Sequence, residues 1–104
     1  MNEYIRITTF SKDKRTIAKI STEVIKEKYA ASTHIDKVLS SYWWQDKVED
    51  TEEYRLEIIT RKDKEDIIVQ TIKLLHDYDV PEIQIDEHNT LNPDIEKWID
   101  ENVK

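Results

Sequence analysis

Two long segments rich in β-branched and aromatic residues, separated by a short polar break, constrain the fold of this chain more than any other feature. They are residues 32–44 (STHIDKVLSSYWW) and residues 48–62 (VEDTEEYRLEIITRK), and the break is Gln45-Asp46-Lys47. This pattern is typical of an antiparallel hairpin. Both segments are more than twice as long as an average strand. We therefore expect the hairpin to project beyond the sheet that contains it.

The end of this hairpin carries three consecutive aromatic residues. Two indole rings on a projecting hairpin need a surface that buries them, because each ring side chain can hide about 150–250 Å². In a chain of 104 residues, we expect that surface to be another copy of the same chain. The second segment alternates and presents one apolar face. The predicted interface between copies consists of Tyr42, Trp43, Trp44, Tyr54, Leu56 and Ile58.

Strand and helix patterns alternate on either side of the hairpin. Residues 3–10 have apolar side chains on both faces, which predicts an inner strand. Residues 12–29, with Ser11 as the candidate N-cap, and residues 63–76 carry apolar residues at three- to four-residue spacing, which predicts two helices. Residues 82–86 predict a short strand with Ile83 and Ile85 facing inward.

A last helix is predicted from Asn92-Pro93, since asparagine is a favoured N-cap and proline a favoured first helical residue. Ile95, Trp98 and Ile99 would form its buried face. The resulting order is βαββαβ followed by a helix, which is the order of a ferredoxin-like α+β sandwich. We expect a single domain over residues 1–104. One face of such a sheet stays uncovered, which again points to an oligomer.

Composition restricts the partners and the chemistry of the chain. The net charge of −7 argues against nucleic acid and against an anionic membrane surface as partners. Cysteine is absent, which excludes disulfides, thiolate metal sites and cysteine nucleophiles. Glycine is also absent, which excludes glycine-rich phosphate loops. The first ten residues lack the apolar core of a signal peptide and no segment is long enough to span a membrane, so we expect a cytoplasmic protein.

Four strings in this order resemble the CutA family, the divalent-cation tolerance proteins. They are residues 40–47 (SSYWWQDK), 60–62 (TRK), 76–83 (HDYDVPEI) and 91–99 (LNPDIEKWI). The resemblance covers nearly the whole chain. It implies a homotrimer of ferredoxin-like subunits whose long hairpins reach onto neighbours, and a role in tolerance of copper and other divalent metals. The architecture also resembles that of the PII signalling proteins, whose clefts between subunits hold small ligands.

The chain departs from the family pattern at several positions. The family usually has Ala-Ala-Cys-x-Asn where this chain has residues 30–34 (AASTH). That cysteine is the residue most often discussed as a copper ligand, so a thiolate copper site is excluded here. Asp36-Lys37 replaces the usual Pro-Gly, Asp46 replaces the glycine of the turn, and Ile59 replaces a lysine. A trimeric fold tolerates these changes more easily than a particular ligand does.

Residue chemistry and the resemblance together predict a cleft and a candidate metal ligand. His76 is that ligand, because an imidazole with nearby carboxylates suits Cu²⁺ or Zn²⁺. A single histidine is too few for a tight site, and the alternative interpretation is a helix-end residue favoured by the helix dipole. No other cofactor is predicted. The cleft between subunits would hold a divalent cation or a small anion near Tyr42, Trp44, Lys47, Tyr78 and Glu82.

No spacing of serine, histidine and carboxylates predicts a nucleophile–base pair, so we expect a protein without enzymatic activity. The acidic run of residues 49–53 is expected to be solvated. The main prediction is a homotrimer that acts in divalent-metal tolerance. The alternative is a PII-like module that binds a small anionic metabolite without a dedicated metal site. Lys47, Arg61 and Lys62 would then matter more than the acidic residues.

Overall fold

The computed structural model describes residues 2–104, which form a four-stranded antiparallel sheet and three α-helices. In chain order the elements are β1 (Tyr4–Ser11), α1 (Lys14–Lys26), β2 (Ser32–Trp44), β3 (Lys47–Arg61), a 3₁₀ turn (Lys62–Lys64), α2 (Glu65–Leu75), β4 (Ile83–Glu87) and α3 (Pro93–Asn102). The strands lie in the order β2-β3-β1-β4 across the sheet. The predicted α+β class, the βαββαβ order and the inner position of β1 are confirmed.

The main hydrophobic core lies between one face of the sheet and helices α1 and α2. Strand alternation directs every second residue of β1 and β3 to this face, and the apolar stripes of the two helices pack on them. Full burial of each such side chain stabilises the fold by about 1.5–3 kcal/mol. The fully buried members are Ile7, Ile17, Ile20, Val24, Leu56, Ile58, Ile68 and Ile72.

Leu56 and Ile58 are 0% exposed within the single chain, so the prediction that they contact another copy is wrong. Alternation sorts the residues of β3 into two sets, but it does not say which set the helices cover. Tyr54 lies at the margin of the same face and is half-buried. The ammonium nitrogens of Lys14 and Lys37 lie 6.0 and 5.9 Å from its ring centre. Contact of Tyr54 with another copy stays a prediction.

Helix α3 packs on the opposite face of the sheet, near the end formed by Ile59. Ile99 and Val103 are buried against Ile59, and half-buried Tyr4 packs beside them. Trp98 is 41% exposed, so its predicted place in the core is wrong. Ile95 is 38% exposed as well, so Ile99 is the one residue of the three predicted that is buried, because a helix of ten residues covers only a narrow strip of the sheet.

The rest of this second face, which we call the open face, is covered by no helix of residues 2–104 and carries ion pairs between strands. Arg6 of β1 lies 3.4 Å from a carboxylate oxygen of Glu57 and 3.6 Å from one of Asp86. Arg55 of β3 pairs with Asp36 of β2. The predicted uncovered sheet face is therefore present, but its surface is largely polar.

Helix α1 begins after Asp13, whose carboxylate accepts a hydrogen bond from the backbone N–H of Arg15 at 3.0 Å. The predicted N-cap, Ser11, is instead the last residue of β1. Beyond the helix, Lys28 adopts a φ of 60°, a left-handed conformation that glycine would accept without steric cost. The predicted start of α3 is confirmed, since the Asn92 side chain accepts from the backbone N–H of Asp94 at 3.0 Å.

Strands β2 and β3 form the predicted hairpin, and they pair along their whole length from Trp44 opposite Lys47. The turn contains two residues, because Gln45 and Asp46 both have positive φ (49° and 64°), as a type I′ turn requires. β1 accompanies β3 only as far as the pair of Ser11 with Tyr54. Residues 38–44 and 47–53 continue as a two-stranded ribbon, which we call the arm.

Candidate functional site

Three consecutive residues of the segment between α2 and β4 are bonded to three consecutive residues at the end of β1, and we call this arrangement the clasp. His76 Nε2 lies 2.8 Å from the carbonyl oxygen of Phe10. The hydroxyl of Ser11 donates to Asp77 Oδ1 at 2.7 Å. The backbone N–H of the next residue, Lys12, donates to the Tyr78 hydroxyl at 2.9 Å. The most family-like string of the sequence thus fixes the junction between β1 and α1.

The imidazole of His76 is fully buried, with 0% of its side chain exposed. Nδ1 accepts a hydrogen bond from the backbone N–H of Tyr78 at 3.0 Å, so Nδ1 carries no proton. Nε2 faces the Phe10 carbonyl oxygen, which only accepts, so Nε2 carries the proton. Asp77 Oδ1 lies 3.3 Å from Nδ1, but an unprotonated nitrogen cannot donate to it. The ring is therefore neutral and fully hydrogen-bonded.

His76 consequently has no free lone pair for a metal ion, and the prediction that it is a metal ligand is wrong. A neutral imidazole ligand binds a metal through one nitrogen, and here both nitrogens serve the clasp. Across residues 2–104, no group of three or more histidine, aspartate or glutamate side chains could hold a metal ion. The sequence shows that His76 ends a helix, but not that a carbonyl 66 residues away meets its ring.

Tyr78 connects the clasp to the arm. Its hydroxyl accepts from Lys12 and donates to Glu53 Oε2 at 2.8 Å. Its ring lies 4.8 Å from that of His76, tilted by 59°. Burial, followed by the hydrogen bond to Glu53, raises the pKa of Tyr78 to about 12.

Glu53 is 9% exposed, although the sequence groups it with the acidic run that we expected to be solvated. The carboxylate is sheltered because it lies where the arm leaves the sheet, directly beside Tyr78. The two-residue alternation of β3 could have shown that Glu53 belongs to the strand, because it places Glu53 on the same face as Arg55 and Glu57 rather than in a loop. Ser11, which we expected to cap a helix, is the second member of this site that sequence reasoning missed.

The end of the arm carries the other predicted cleft residues. Trp44 and Lys47 are cross-strand partners and both are exposed. Tyr42 is half-buried, and its hydroxyl lies 3.2 Å from that of Thr51. Tyr42 pairs with Glu49, about 13 Å along the strand from Glu53 at 3.3 Å per residue. The single chain therefore keeps these residues apart from Tyr78.

Glu82 lies exposed just before β4. The aromatic end of the arm is even more open to solvent, since Trp43 and Trp44 are 75% and 59% exposed. Leu39, nearer the sheet, is 74% exposed. The predicted cleft would need a second copy to close it, and its composition stays a prediction.

Two grooves flank α3. One, of about 340 Å³, lies on the open face and is lined by Arg6, Ser32, His34, Glu57, Ile59, His88, Ile95 and Trp98. The other, of about 490 Å³, is lined by Asn2, Tyr4, Pro93, Glu96, Lys97 and Asp100. In the second groove, the Tyr4 hydroxyl donates to Asp100 at 2.8 Å. Arg6 and Glu57 of the first groove pair with each other, and in the second groove Asp100 accepts hydrogen bonds from Asn2 and Tyr4.

This arrangement, a βαββαβ sheet with a projecting two-stranded arm, defines a ferredoxin-like domain. The family described as CutA1 divalent ion tolerance protein matches residues 5–102 of the chain. The divalent-cation tolerance protein CutA of Pyrococcus horikoshii is 33% identical over 97 residues, covering 93% of this chain and 94% of that protein. The chain therefore belongs to the CutA1 family, as the sequence strings predicted.

Solved structures agree with this assignment. CutA1 from Oryza sativa is 28% identical, has a TM-score of 0.92, and matches 98% of this chain and 94% of its own. CutA1 from Pyrococcus horikoshii is 31% identical, with a TM-score of 0.90 over 96% of this chain and 98% of its own. No helix within residues 2–104 combines the length and the apolar character needed to cross a bilayer.

Proposed function

We propose that this protein is a non-enzymatic homotrimer that acts in divalent-metal tolerance, copper included, and that its arms are buried on sister chains. The observation that carries the proposal is the exposed aromatic end of the arm, with Trp43 75% and Trp44 59% exposed. Apolar surface of this kind is unfavourable in water by about 25 cal/mol per Å². β2 is also an edge strand of 13 residues with unpaired backbone groups, which favours docking of another chain.

The open face supports the same assembly. A sheet that packs its helices on one side leaves the other side for sister chains, and here that side carries the pairs of Arg6 with Glu57 and Arg55 with Asp36. Ion pairs already formed within each chain can be covered without leaving a charge unpaired. Sedimentation equilibrium tests the proposal. A mass of three chains is expected, and a well-folded single chain at micromolar concentration would contradict it.

The cations would be attracted by the charge of the assembly rather than by a dedicated ligand set. The chain has no cysteine, and His76 is committed to the clasp. Three chains of net charge −7 would give a trimer of −21, which raises the local concentration of cations. Glu49, Asp50 and Glu52 lie near the end of the arm, where oxygen ligands from three chains can contribute.

Calorimetric titration with Cu²⁺ and Zn²⁺ tests this mechanism. Weak binding that falls steeply with added salt is expected, because screening acts on charges exposed to solvent. The triple substitution Glu49→Gln, Asp50→Asn, Glu52→Gln should weaken it further. The matched control is the triple substitution Glu96→Gln, Glu101→Gln, Asp94→Asn on α3, which removes the same charge elsewhere. Tight binding that is insensitive to salt and to the arm charges would contradict the mechanism.

The alternative ligand is a small anionic metabolite held in clefts between chains. The pairing of Trp44 with Lys47 across the arm favours it, because an aromatic face beside an ammonium group suits a planar anion. Arg61 is less available than the sequence suggested, since its guanidinium bonds Asp63 at 2.9 Å and is 17% exposed. Micromolar binding of a nucleoside phosphate, with no metal binding, would favour this alternative.

We also propose a cytoplasmic location. Relatives are named for other compartments, since a rice relative is described as chloroplastic and an Archaeoglobus fulgidus structure as periplasmic. Fractionation of the source cells with an antibody against the chain tests the location, and recovery in an envelope fraction would contradict it.

A further inference from the structure

The arm begins one residue beyond the point where β1 stops pairing with β3. Ser11 opposite Tyr54 is the last pair between β1 and β3. The next residue of β3 is Glu53, which pairs only with Val38 of β2. From this point outward, no third strand of the described chain pairs with the hairpin. A two-stranded ribbon alone is marginally stable and strongly twisted, so its direction must be fixed by contacts at its root.

The contact at that root is the hydrogen bond from the Tyr78 hydroxyl to Glu53 Oε2, at 2.8 Å. It is sheltered, since Glu53 is 9% exposed. A bond to a carboxylate is among the stronger hydrogen bonds of proteins, and more so away from water. It joins the first residue of the arm to a segment that lies outside the sheet.

The donor is itself immobilised. The Tyr78 hydroxyl also accepts from the backbone N–H of Lys12, and the Tyr78 backbone N–H donates to His76. Tyr78 is thus held through its hydroxyl by the β1–α1 junction and through its backbone N–H by a buried imidazole. Its position does not depend on the arm, which is what a fixed anchor point requires.

We propose that Tyr78 and Glu53 form a latch that sets the direction of the arm relative to the sheet, so that the arm is already aligned for docking on a second copy of the chain. Tyr78 is a positioning residue in this scheme. The hydrogen bond fixes the position of Glu53 and therefore the direction of the arm at its root. That direction determines where Trp43 and Trp44 lie relative to the sheet. The docking step rests on the proposed trimer, whereas the latch itself belongs to the single chain.

Alignment before docking strengthens association, because an arm that is already ordered loses less conformational entropy when it is buried. Removal of the latch should therefore act on two quantities. It should increase the rate at which amide hydrogens of the arm exchange with solvent, and it should weaken the association of chains. Amide hydrogens of the core should exchange as slowly as before.

The test compares Tyr78→Phe with Tyr42→Phe. Both remove one phenol hydroxyl, but that of Tyr42 bonds Thr51 within the arm. Amide hydrogen exchange of residues 38–44 and 47–53 should speed up at least about tenfold in Tyr78→Phe, the ratio that corresponds to about 1.4 kcal/mol. Exchange of core amides such as those of Ile7 and Ile58 should change less than about twofold. Tyr42→Phe should leave the root of the arm at its original rate.

A second pair of variants keeps the test decisive if Tyr78→Phe folds poorly. Glu53→Gln retains an oxygen that can accept from Tyr78 and should preserve slow exchange, whereas Glu53→Ala should reproduce fast exchange. Equal exchange of the arm in Glu53→Ala and the unsubstituted protein would overturn the latch. Sedimentation of the unsubstituted protein separates the two proposals, since a single chain there contradicts the trimer while the exchange comparison still decides the latch.

Discussion

Arg55 holds Asp36 across β2 and β3 through two parallel hydrogen bonds, Nε to Oδ1 at 3.0 Å and Nη2 to Oδ2 at 2.7 Å. The pair lies on the open face. In solvent, an ion pair with side chains 40% and 50% exposed contributes about 0.2–1 kcal/mol. Covering by sister chains would strengthen it, since water no longer competes.

A double-mutant cycle with Asp36→Asn and Arg55→Gln checks whether the open face is covered. We expect a coupling energy above about 1 kcal/mol in urea unfolding of the assembled protein. The cycle of Lys37→Gln with Glu52→Gln is the control, because that pair is longer at 3.5 Å and more exposed. A coupling energy for Asp36 and Arg55 no larger than the control would indicate that the face remains in water.

Removal of the His76 ring should lower stability without changing metal affinity. His76→Ala leaves the Phe10 carbonyl and the Tyr78 N–H without partners, and each unsatisfied buried group costs about 1–3 kcal/mol. We expect a loss of about 2–5 kcal/mol in urea unfolding, and unchanged Zn²⁺ titration of the folded protein. His34→Ala, at an exposed position, should change neither. A tenfold loss of Zn²⁺ affinity in His76→Ala would restore the metal role.

Ionisation of Tyr78 should destabilise the fold at alkaline pH. Its folded-state pKa is about 12, raised from the ordinary 10.0, so the unfolded chain releases this proton first. The contribution is fully present below pH 10 and is lost as the pH rises through about 12. The pKa of Tyr4 is raised as well, by burial and then by its bond to Asp100.

Urea unfolding between pH 9 and 12 measures this effect, with Tyr78→Phe and Tyr4→Phe as comparisons. Stability of the unsubstituted protein should fall more steeply with pH than that of Tyr78→Phe. Tyr4→Phe should fall at an intermediate slope, because it keeps Tyr78, the tyrosine with the more strongly raised pKa. Parallel curves for the unsubstituted protein and Tyr78→Phe would show that the phenol ionises equally in both states.

Trp44→Ala should dissociate the assembly. The substitution removes most of the about 150–250 Å² that a tryptophan side chain can bury, and we expect monomer or aggregate in sedimentation velocity. Leu91→Ala is the control, because Leu91 is fully exposed but lies before α3, away from the arm. A stable trimer of Trp44→Ala would contradict the docking role of the arm, and dissociation by Leu91→Ala would show that the contact lies elsewhere.

Lys28→Gly should stabilise the protein. Lys28 has a φ of 60°, and a left-handed conformation costs a residue with a Cβ about 1–2 kcal/mol. Part of this gain is lost because glycine is more flexible in the unfolded chain, so we expect about 0.5–1 kcal/mol in thermal unfolding. Lys19→Gly, at an exposed position inside α1, should instead destabilise by about 1 kcal/mol. Loss of stability in both variants would contradict the backbone argument.

The sequence predicts local structure well here, because local signals agree with one another. The hairpin follows from the two β-rich segments, and the start of α3 follows from Asn92-Pro93. The sequence predicts Ser11 as the N-cap of α1, whereas the structure has Asp13 in this role. Both residue types can cap a helix, and β1 continues as far as Ser11. Errors of this size arise where two neighbouring residues have the same chemistry.

Positions that depend on distant contacts were predicted less well. Alternation could not show which side of β3 the helices cover, so Leu56 was placed outside instead of inside. The chemistry of His76 was judged from neighbouring carboxylates, whereas its partners are a carbonyl of β1 and the N–H of Tyr78. The sequence groups Glu53 with the neighbouring acidic residues and predicts that it is solvated, whereas in the structure its carboxylate is sheltered beside Tyr78.

The clasp also has a consequence for the order of events during synthesis. The arm closes through a two-residue turn and can form as soon as β3 has left the ribosome, within about 1–10 μs. The clasp joins residues 66 positions apart, so it must wait for the segment after α2. We expect that in a nascent chain the arm is formed but not yet fixed in direction until the segment between α2 and β4 emerges. Subunits would then assemble only once each chain is nearly complete.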